Sequence, residues 1–538
     1  MTVPIDEAPL AGATGPLRVF HFDIPTAGNF GDLVLFEAVR QVFNSYVPPE
    51  RARSRLPGSD DPAGPRPGSG AGFSVFQTRN LRRKVDAAIV DRINQTADLV
   101  IVGGGGLFQR DAVADSASGW QWNIPLDVLE RFEVPLVVFA VGNNRFPGQA
   151  DFVPPFREHL AATARGSILF GLRSAGSLGS IAGYLPAPLA ETLCFQPCPT
   201  AIAAQLYPDL AARPRDTGKR IAVQCSIDGL QRAAGFDADR IYATEISVLR
   251  RLAREGWEID SVPHHPLDLE FATVLGAEGF LTRARPLRGD PSAATAGLAE
   301  FAETPLILAT RGHAQVIPFG MGAIPIALDV HAKIRWFAAD IDHPELVIDP
   351  QRDTFAEDLY RLINATWERQ EELRADFAHR RRAFSEITEA NLAATYSRLR
   401  HAPPTAADDG PRLDETSDAI GGQTDAIRLS VTANAYSSRE RRLGRESLTN
   451  AIAADDDEEL ADVQLARAGA VLAAQMRRAK EGRCSDAEFL AALRRRARTA
   501  KREGRRMEAV ALAIAILAVA GQAARRRRRG KPRLPARG

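Results

Sequence analysis

Several short polar patterns directly follow apolar runs, and one has the side chains for anion binding and proton transfer. It is Thr310-Arg311-Gly312-His313, with Lys333 twenty residues beyond His313. A single glycine separates Arg311 from His313, so both side chains can approach one small ligand. Arginine and lysine suit a doubly anionic substrate, and histidine suits proton transfer near neutral pH. A structural histidine and a surface lysine are the alternative interpretation.

A glycine turn follows the first apolar run of the chain. It is Gly28-Asn29-Phe30-Gly31-Asp32, in which two glycines allow a tight turn and close approach to a ligand. Asn29 and Asp32 could orient that ligand or line a cleft. Taken alone, the pattern favours an Asn/Gly turn with an Asp helix cap.

Four consecutive glycines, Gly103 to Gly106, follow another apolar run. If a helix comes next, the N–H groups of Gly104 and Gly105 can point at a phosphate or carboxylate, helped by the helix N-terminus. A close turn between strand and helix explains the glycines equally well. The pattern is neither a dinucleotide-binding fingerprint nor a P-loop.

Two weaker candidates also lie at predicted strand ends. Arg173, in Gly171-Leu172-Arg173-Ser174, could pair with an anion, although a surface salt bridge is the favoured interpretation. His264 and His265 have no third convergent ligand in the sequence, so they are predicted to line a cleft as polar side chains, with no metal.

The apolar runs indicate buried parallel strands in two successive series. The first series has strands predicted at 17–23, 98–102, 135–141 and 168–172, and the second has strands predicted at 220–224, 259–262, 306–309 and 324–328. Helices are predicted at 240–254 and 354–380. The alternation predicts two doubly wound, Rossmann-like α/β domains with a ligand cleft between them.

The domain boundaries follow from changes in composition. We predict a flexible N-terminus (1–16), an N-terminal Rossmann-like domain (17–212) with a flexible insertion (48–72), a C-terminal Rossmann-like domain (213–400), a linker (401–438) and a helical, Arg-rich extension (439–538). From Arg477 onward the net charge is +15, against −14 for the rest of the chain. The basic extension could lie on an anionic membrane surface or simply be solvated, and nucleic acid is an unfavoured partner because no stacking aromatics accompany the arginines.

Cysteine content and hydropathy predict a cytoplasmic protein. The four cysteines are too few for a disulfide scaffold, and Cys194 and Cys198 are predicted to be small buried residues rather than zinc ligands. The chain starts without a secretory signal, and the apolar segment Ala509 to Gly521 is shorter than the roughly 20 residues that a membrane span needs.

Taken together, the motifs resemble the polysaccharide pyruvyl transferase family. The similar pieces are the glycine turn at 28–32, the GGGG-L-F segment at 103–108, the R-S-x-x-S element at 173–177, the R-x-H of Arg311 and His313, the G-x-x-P at 322–325, and Lys333. The resemblance covers roughly residues 17–400. It implies a fold like that of the two-domain glycosyltransferases (glycosyltransferase-B-like) and, as activity, transfer of the enolpyruvyl group of phosphoenolpyruvate to two sugar hydroxyls as a ketal, with release of phosphate.

The resemblance also implies roles for the candidate residues. His313 would be the general acid and Arg311 would hold the carboxylate or phosphate, while Lys333, Arg173 and the amides of Gly104 and Gly105 would bind the donor. Acceptors would be sugars of exopolysaccharides, cell-wall polymers or lipid-linked glycans. Asn29 and Asp32 would bind acceptor hydroxyls or order the cleft, which His264 and His265 would line. The basic extension could bring the protein to the inner membrane face, near a lipid-linked acceptor. No cofactor would be required.

Two departures from the family pattern concern the acceptor and the local geometry. Pro197-Cys198-Pro199-Thr200 stands where the family often has an Asp-containing turn, and Pro318 interrupts the helix expected after His313. Two other functions remain open from the sequence: a nucleotide-sugar-dependent glycosyltransferase of similar architecture, and a non-catalytic glycan-assembly protein.

Overall fold

A computed structural model describes residues 17–24, 28–46, 74–110, 113, 116–146, 148–282 and 294–399. The N-terminus at 1–16, the insertion at 48–72, the linker at 401–438 and the extension at 439–538 lie outside the described residues, so the predictions for them remain predictions, as do the domain boundaries. The chain divides into two compact units, the first comprising Met1–Ile259, His264–Asp268 and Arg285–Ile420, and the second comprising Asp260–Pro263, Leu269–Ala284 and Gly421–Gly538.

The first unit contains a seven-stranded parallel sheet built from the N-terminal half of the chain. Its strands are β1 (Leu17–Asp23), β2 (Ser74–Asn80), β3 (Leu99–Val102), β4 (Gly105–Phe108), β5 (Leu136–Asn143), β6 (Ser167–Leu172) and β7 (Leu193–Phe195). The spatial order is β2-β1-β3-β5-β6-β7, with β4 pairing with β5 off this path. The crossovers of such an order are the mark of a doubly wound sheet.

The first unit also contains a second parallel sheet, built from the following part of the chain. Its strands β8 (Arg220–Gln224), β11 (Leu306–Ala309), β12 (Ile324–Leu328) and β13 (Val347–Ile348) lie in the order β8-β11-β12-β13. Strand β9 (Glu258–Ser261) begins in this unit and ends in the second one. In the second unit, β10 (Leu281–Thr282) pairs in parallel with β9, with Leu281 opposite Asp260.

Helices connect the strands. They are α1 (Phe30–Ser45), α2 (Ala87–Thr96), α3 (Leu126–Leu129), α4 (Pro155–Gly166), α5 (Ala175–Ala182), α6 (Ala187–Ala190), α7 (Ala203–Leu206), α8 (Pro208–Ala211), α9 (Gly229–Ala233), α10 (Ala238–Arg254), α11 (Leu269–Ala277), α12 (Leu298–Glu303), α13 (Gly312–Met321), α14 (Ala332–Asp340), α15 (Phe355–Glu368) and α16 (Gln370–Leu399). The architecture is α/β with parallel sheets, as the sequence predicted.

The central strands are buried on both faces because their sequences are continuously apolar. Every residue of β3, β5, β8, β11 and β12 is buried. The core of the first sheet also takes in four fully buried aromatic side chains, Phe108, Trp120, Trp122 and Phe156. This packing fixes the carboxyl ends of the strands, where the polar patterns of the sequence lie.

Two sequence-based expectations about elements are wrong. The helix predicted at 354–380 is two helices that break at Arg369, where α15 ends and α16 begins. Within the described residues no helix directly follows the four glycines: Gly105 to Phe108 forms β4 beside β5, and the next described helix starts at Leu126. The proposed help of a helix N-terminus to the amides of Gly104 and Gly105 is therefore absent.

Candidate active site

Polar side chains from both sheets of the first unit meet at the carboxyl ends of their strands. Asp32 lies in the first turn of α1, Arg173 follows β6 and Cys198 follows β7. From the second sheet, Arg311 and His313 follow β11, and Lys333 follows β12. The carboxyl ends of parallel strands are where open α/β sheets bind ligands.

His313 forms an ion pair with Asp32. The two are held together by close packing, since a Cβ added to Gly31 would overlap the His313 side chain. His313 Nδ1 lies 3.4 Å from Asp32 Oδ1, and the His313 side chain is only 10% exposed. Burial alone would lower the pKa of His313, but the Asp32 carboxylate and the Cys198 thiol raise it above its ordinary value.

The pKa of Asp32 moves in the matching direction. Burial alone would raise it, but His313, followed by Arg82 and Arg173, lowers it below its ordinary value. Both shifts favour the charged pair, a carboxylate beside an imidazolium. The sequence treated Asp32 as a possible acceptor-binding residue and did not predict its pairing with His313.

Cys198 completes a chain of three groups. Its Sγ lies 4.0 Å from His313 Nε2 and 3.1 Å from Thr200 Oγ1. Burial would raise the pKa of this thiol, but His313, then Arg173 and Thr200, bring it below its ordinary value. Cys198 is buried as predicted, at 4% exposure, yet the sequence missed its place beside the imidazole because nothing local links positions 198 and 313.

Arg311 is anchored rather than free. Its Nε donates to Asp268 Oδ1 at 2.6 Å, its Nη2 donates to Ser226 Oγ at 3.2 Å, and its backbone N–H donates to Gln224 Oε1 at 3.0 Å. The buried Asp268 also accepts the backbone N–H of His264 at 2.8 Å. Nε and Nη2 are thus engaged within the protein, and Nη1 is the guanidinium nitrogen with no hydrogen bond to a described residue. Arg311 therefore contributes less to a fork than the sequence predicted.

Arg173 has no carboxylate partner among the residues that the structure describes, so the salt bridge favoured from the sequence is not found there. Its guanidinium lies over two glycines: a Cβ on Gly142 would overlap Nε, and one on Gly106 would lie 3.2 Å from Nη2. Burial lowers the pKa of Arg173. A half-buried guanidinium held in this way is suited to an incoming anion.

Lys333 lies close to both arginines. Its Nζ donates to Asn144 Oδ1 at 2.7 Å. Burial, then repulsion from Arg173 and Arg311, lowers the pKa of Lys333 to about 7. Three cationic side chains thus meet at one place, where only Arg311 has a directly bonded carboxylate within the described part of the chain. An anionic ligand would relieve that repulsion.

A chain of amide side chains supports this cluster from the side of β4. Gln121 Nε2 donates to the carbonyl of Gly106 at 3.1 Å and to Gln109 Oε1 at 3.3 Å, and Asn144 Nδ2 donates to the same Gln109 oxygen at 3.0 Å. Because Asn144 also holds Lys333, the network joins the glycine segment to α14. The four glycines therefore lie beside the site, although not at a helix N-terminus.

The other predicted site residues have mainly structural contacts. Asn29 caps α1 by accepting the N–H of Gly31 at 2.9 Å, and its amide nitrogen donates to Asp32 Oδ2 at 3.0 Å. His264 is fully buried and packs against Phe30, with ring centroids 5.0 Å apart, so it does not line a cleft. His265 is half-buried and accepts the N–H of Leu267.

The described ranges also bear on metal binding and on membrane crossing. They contain no group of three His, Cys, Asp or Glu side chains placed to hold a metal ion. None of their helices combines the length and apolar character that crossing a membrane requires.

The geometry provides an acid and an anion site side by side. Against the effect of burial, the Asp32 carboxylate raises the pKa of His313 and so stabilises the imidazolium that could deliver a proton. Arg173, Lys333 and Arg311 can neutralise a phosphate and a carboxylate. The pairing with Asp32 also keeps the imidazole oriented while its proton is transferred.

Comparisons with known proteins give structural similarity only. No family model matches the sequence, and no curated protein matches it. Among solved structures, an O-GlcNAc transferase mutant of Thermobaculum terrenum is 14% identical, with a TM-score of 0.38 over 74% of this chain and 70% of that one. A UDP-N-acetylglucosamine 2-epimerase from Rickettsia bellii is 12% identical, with a TM-score of 0.39 over 71% of this chain and 97% of that one. An α,α-trehalose-phosphate synthase (UDP-forming) from Burkholderia vietnamiensis is 11% identical, with a TM-score of 0.39 over 72% of this chain and 99% of that one. Similarity at this level transfers no activity.

Proposed function

We propose that this protein transfers the enolpyruvyl group of phosphoenolpyruvate to two hydroxyls of a glycan sugar, forming a cyclic ketal and releasing phosphate. The observation that carries the proposal is the meeting of Arg173 and Lys333, which lack a carboxylate partner among the described residues, with the His313–Asp32 pair. Phosphoenolpyruvate brings a phosphate, a carboxylate and a carbon that must be protonated, and each of these has a matching group here.

One general acid, His313, can carry out the proton transfers of the first addition. His313, as imidazolium, gives its proton to the methylene carbon of the donor, and the adjacent carbon gains oxocarbenium character. The first sugar hydroxyl adds to that carbon and returns a proton to His313. The carbon–oxygen bond to phosphate then breaks, the second hydroxyl closes the ketal, and its proton leaves with the phosphate.

The neighbouring charges favour these steps in order. Asp32 stabilises the imidazolium before proton transfer and holds its ring in place afterwards. Lys333 and Arg173 stabilise the negative charge that develops on the departing phosphate, where preorganised cations have their largest effect. Nη1 of Arg311, which has no hydrogen bond to a described residue, is left for the donor carboxylate.

The test is turnover with purified full-length protein, phosphoenolpyruvate and a panel of glycan acceptors. Phosphate release and the mass gain of a pyruvate ketal on the acceptor are measured together. We expect His313→Ala and Arg173→Met each to reduce turnover by about 100-fold or more, in line with the loss of a general acid or of one preorganised charge. His379→Ala and Arg131→Met change exposed side chains outside the site and serve as matched controls. Turnover by His313→Ala at the wild-type rate would refute the assignment.

A nucleotide-sugar-dependent glycosyltransferase is the second candidate, because the same three cations could bind a diphosphate. Direct calorimetry separates the two. Binding of phosphoenolpyruvate that weakens in Arg173→Met supports pyruvyl transfer. Binding of a UDP-sugar with the same dependence, and none of phosphoenolpyruvate, would replace it with glycosyl transfer.

A further inference from the structure

A cleft opens beside the cation cluster, on the side of β5 and α14. It has a volume of about 250 Å³ and is lined by Asn143, Arg145, Phe146, Gln149, Ser180 and Trp336, among others. That volume is below the roughly 300–1,000 Å³ typical of pockets for drug-sized ligands. It suits a single sugar ring better than a nucleotide sugar.

Trp336 forms a fixed wall of this cleft. The half-buried indole packs on Gly176 at the start of α5, so closely that a Cβ on Gly176 would overlap the ring. Its N–H makes no hydrogen bond to any residue that the structure describes. The ring is thus held by contact with a backbone and leaves a flat apolar surface and a donor for a ligand.

Other residues that line the cleft are polar. Asn143 Nδ2 donates to Ser180 Oγ at 3.1 Å, which fixes the amide and leaves the hydroxyl hydrogen of Ser180 directed elsewhere. Ser180 in turn donates to the carbonyl of Ser177 at 3.1 Å. Arg145 lies at the edge, where it pairs with Asp151 at 3.1 Å. A lining that combines an aromatic ring with polar side chains matches a pyranose, whose C–H face is apolar and whose hydroxyls lie around its edge.

The cleft is continuous with the cation cluster. Lys333 and Trp336 are three residues apart on α14 and so lie on the same helix face. Asn144, which holds Lys333, lies next to Asn143 in the sequence and two residues before Phe146, and both of these line the cleft. The Phe146 ring centre lies 5.9 Å from Lys333 Nζ. A ligand in the cleft therefore borders the groups assigned to the departing phosphate.

We propose that this cleft is the acceptor subsite and binds one pyranose ring of the glycan, stacked on Trp336. The inference rests on the proposed function, since it is the pyruvyl transfer that calls for a sugar beside the donor. It also gives the acceptor a different place: the acceptor or cleft residues expected from the sequence are Asn29, Asp32, His264 and His265, whereas the proposed subsite is lined by Trp336 and Phe146.

The experiment compares Trp336→Ala and Trp336→Phe with Trp367→Ala, which removes a half-buried tryptophan that packs on Trp257 instead. The steady-state KM is measured separately for the acceptor and for phosphoenolpyruvate. We expect Trp336→Ala to raise the acceptor KM about tenfold, the scale of one lost aromatic stack. The KM for phosphoenolpyruvate should stay unchanged, and Trp336→Phe should recover most of the loss. An acceptor KM in Trp336→Ala equal to that of wild type overturns the inference.

A second measurement does not depend on turnover. Methyl glycosides of common hexoses are titrated into the full-length wild type and into Trp336→Phe while tryptophan fluorescence is followed. We expect a saturable change in wild type that is absent from Trp336→Phe. The same change in both proteins overturns the subsite. If the glycosides act on Trp336 but phosphoenolpyruvate neither binds nor reacts, the sugar site stands and the proposed pyruvyl transfer fails.

Discussion

Donor binding should place a proton on Lys333. In the free protein the pKa of Lys333 is about 7, because it is buried next to Arg173 and Arg311. At about pH 7 this amine is therefore roughly half protonated. A bound phosphate and carboxylate favour the charged form and shift its pKa back toward the ordinary 10.5. Binding should then take up about half a proton at this residue, and the uptake should depend on pH.

The magnitude follows from the free-state pKa alone. Uptake by Lys333 should be about 0.1 proton at about pH 6, about 0.5 at about pH 7 and about 0.9 at about pH 8. Donor affinity should fall as pH rises above 7, by at most about tenfold for each pH unit, since the missing proton has to come from solvent. Binding takes up protons rather than releasing them because the pKa of Lys333 is lowered in the free protein and restored by the ligand.

The assay is isothermal titration of phosphoenolpyruvate in buffers that differ in ionisation enthalpy, which yields the number of protons exchanged. The donor phosphate and His313 also exchange protons, so the relevant quantity is the difference between wild type and Lys333→Met. Lys219→Met, at an exposed lysine outside the site, should match wild type. If Lys333→Met takes up as many protons as wild type across this pH range, the reasoning is wrong.

Three other predictions address individual groups. Asp32→Asn should move the basic limb of the pH dependence of kcat to lower pH, because burial lowers the pKa of His313 once the carboxylate is gone; an unmoved limb would contradict the ion pair. The iodoacetamide labelling of Cys198 should rise at lower pH than that of Cys194, because His313 lowers the pKa of Cys198 against the effect of burial, whereas burial raises the pKa of Cys194 to about 11. Peptide mass spectrometry gives the two pH profiles, and a Cys194 profile that rises at lower pH would count against it. Burial raises the pKa of Glu245 from 4.5 to about 8, so the folded state holds a proton that the unfolded chain releases. The free energy of unfolding should therefore fall by at most about 5 kcal/mol as pH rises between these values. Denaturant unfolding at a series of pH values should show this dependence in wild type and not in Glu245→Gln.

The buried strands were predictable because their signal is local. Strands β1, β8, β11 and β12 have the predicted bounds. A short, mainly apolar run indicates a strand that is buried on both faces, and that signal is read from neighbouring residues alone. Strand β2 was not predicted. Its sequence, Ser-Val-Phe-Gln-Thr-Arg-Asn, has few apolar residues, and it lies at the sheet edge, where half-exposed polar side chains are tolerated.

The candidate site was predictable in its chemistry and not in its pairings. The sequence selected Arg311, His313 and Lys333 because their types and strand-end positions were visible locally. The partners of these residues come from distant parts of the chain: Asp32 lies beside His313, and Asp268 holds Arg311. Such contacts depend on how the two sheets pack, which no local pattern specifies.

Pro318 was expected to disturb the helix after His313, but α13 continues through it to Met321. The feature of that helix with the larger consequence is Gly320, where a Cβ would overlap the carbonyl of Thr200. This contact sets how near the Cys198 segment comes to the helix that carries His313. The distance between the Cys198 thiol and the His313 imidazole therefore depends on a residue outside the site. Gly320→Ala would push the two segments apart and alter the reactivity of Cys198 without replacing any polar residue of the site.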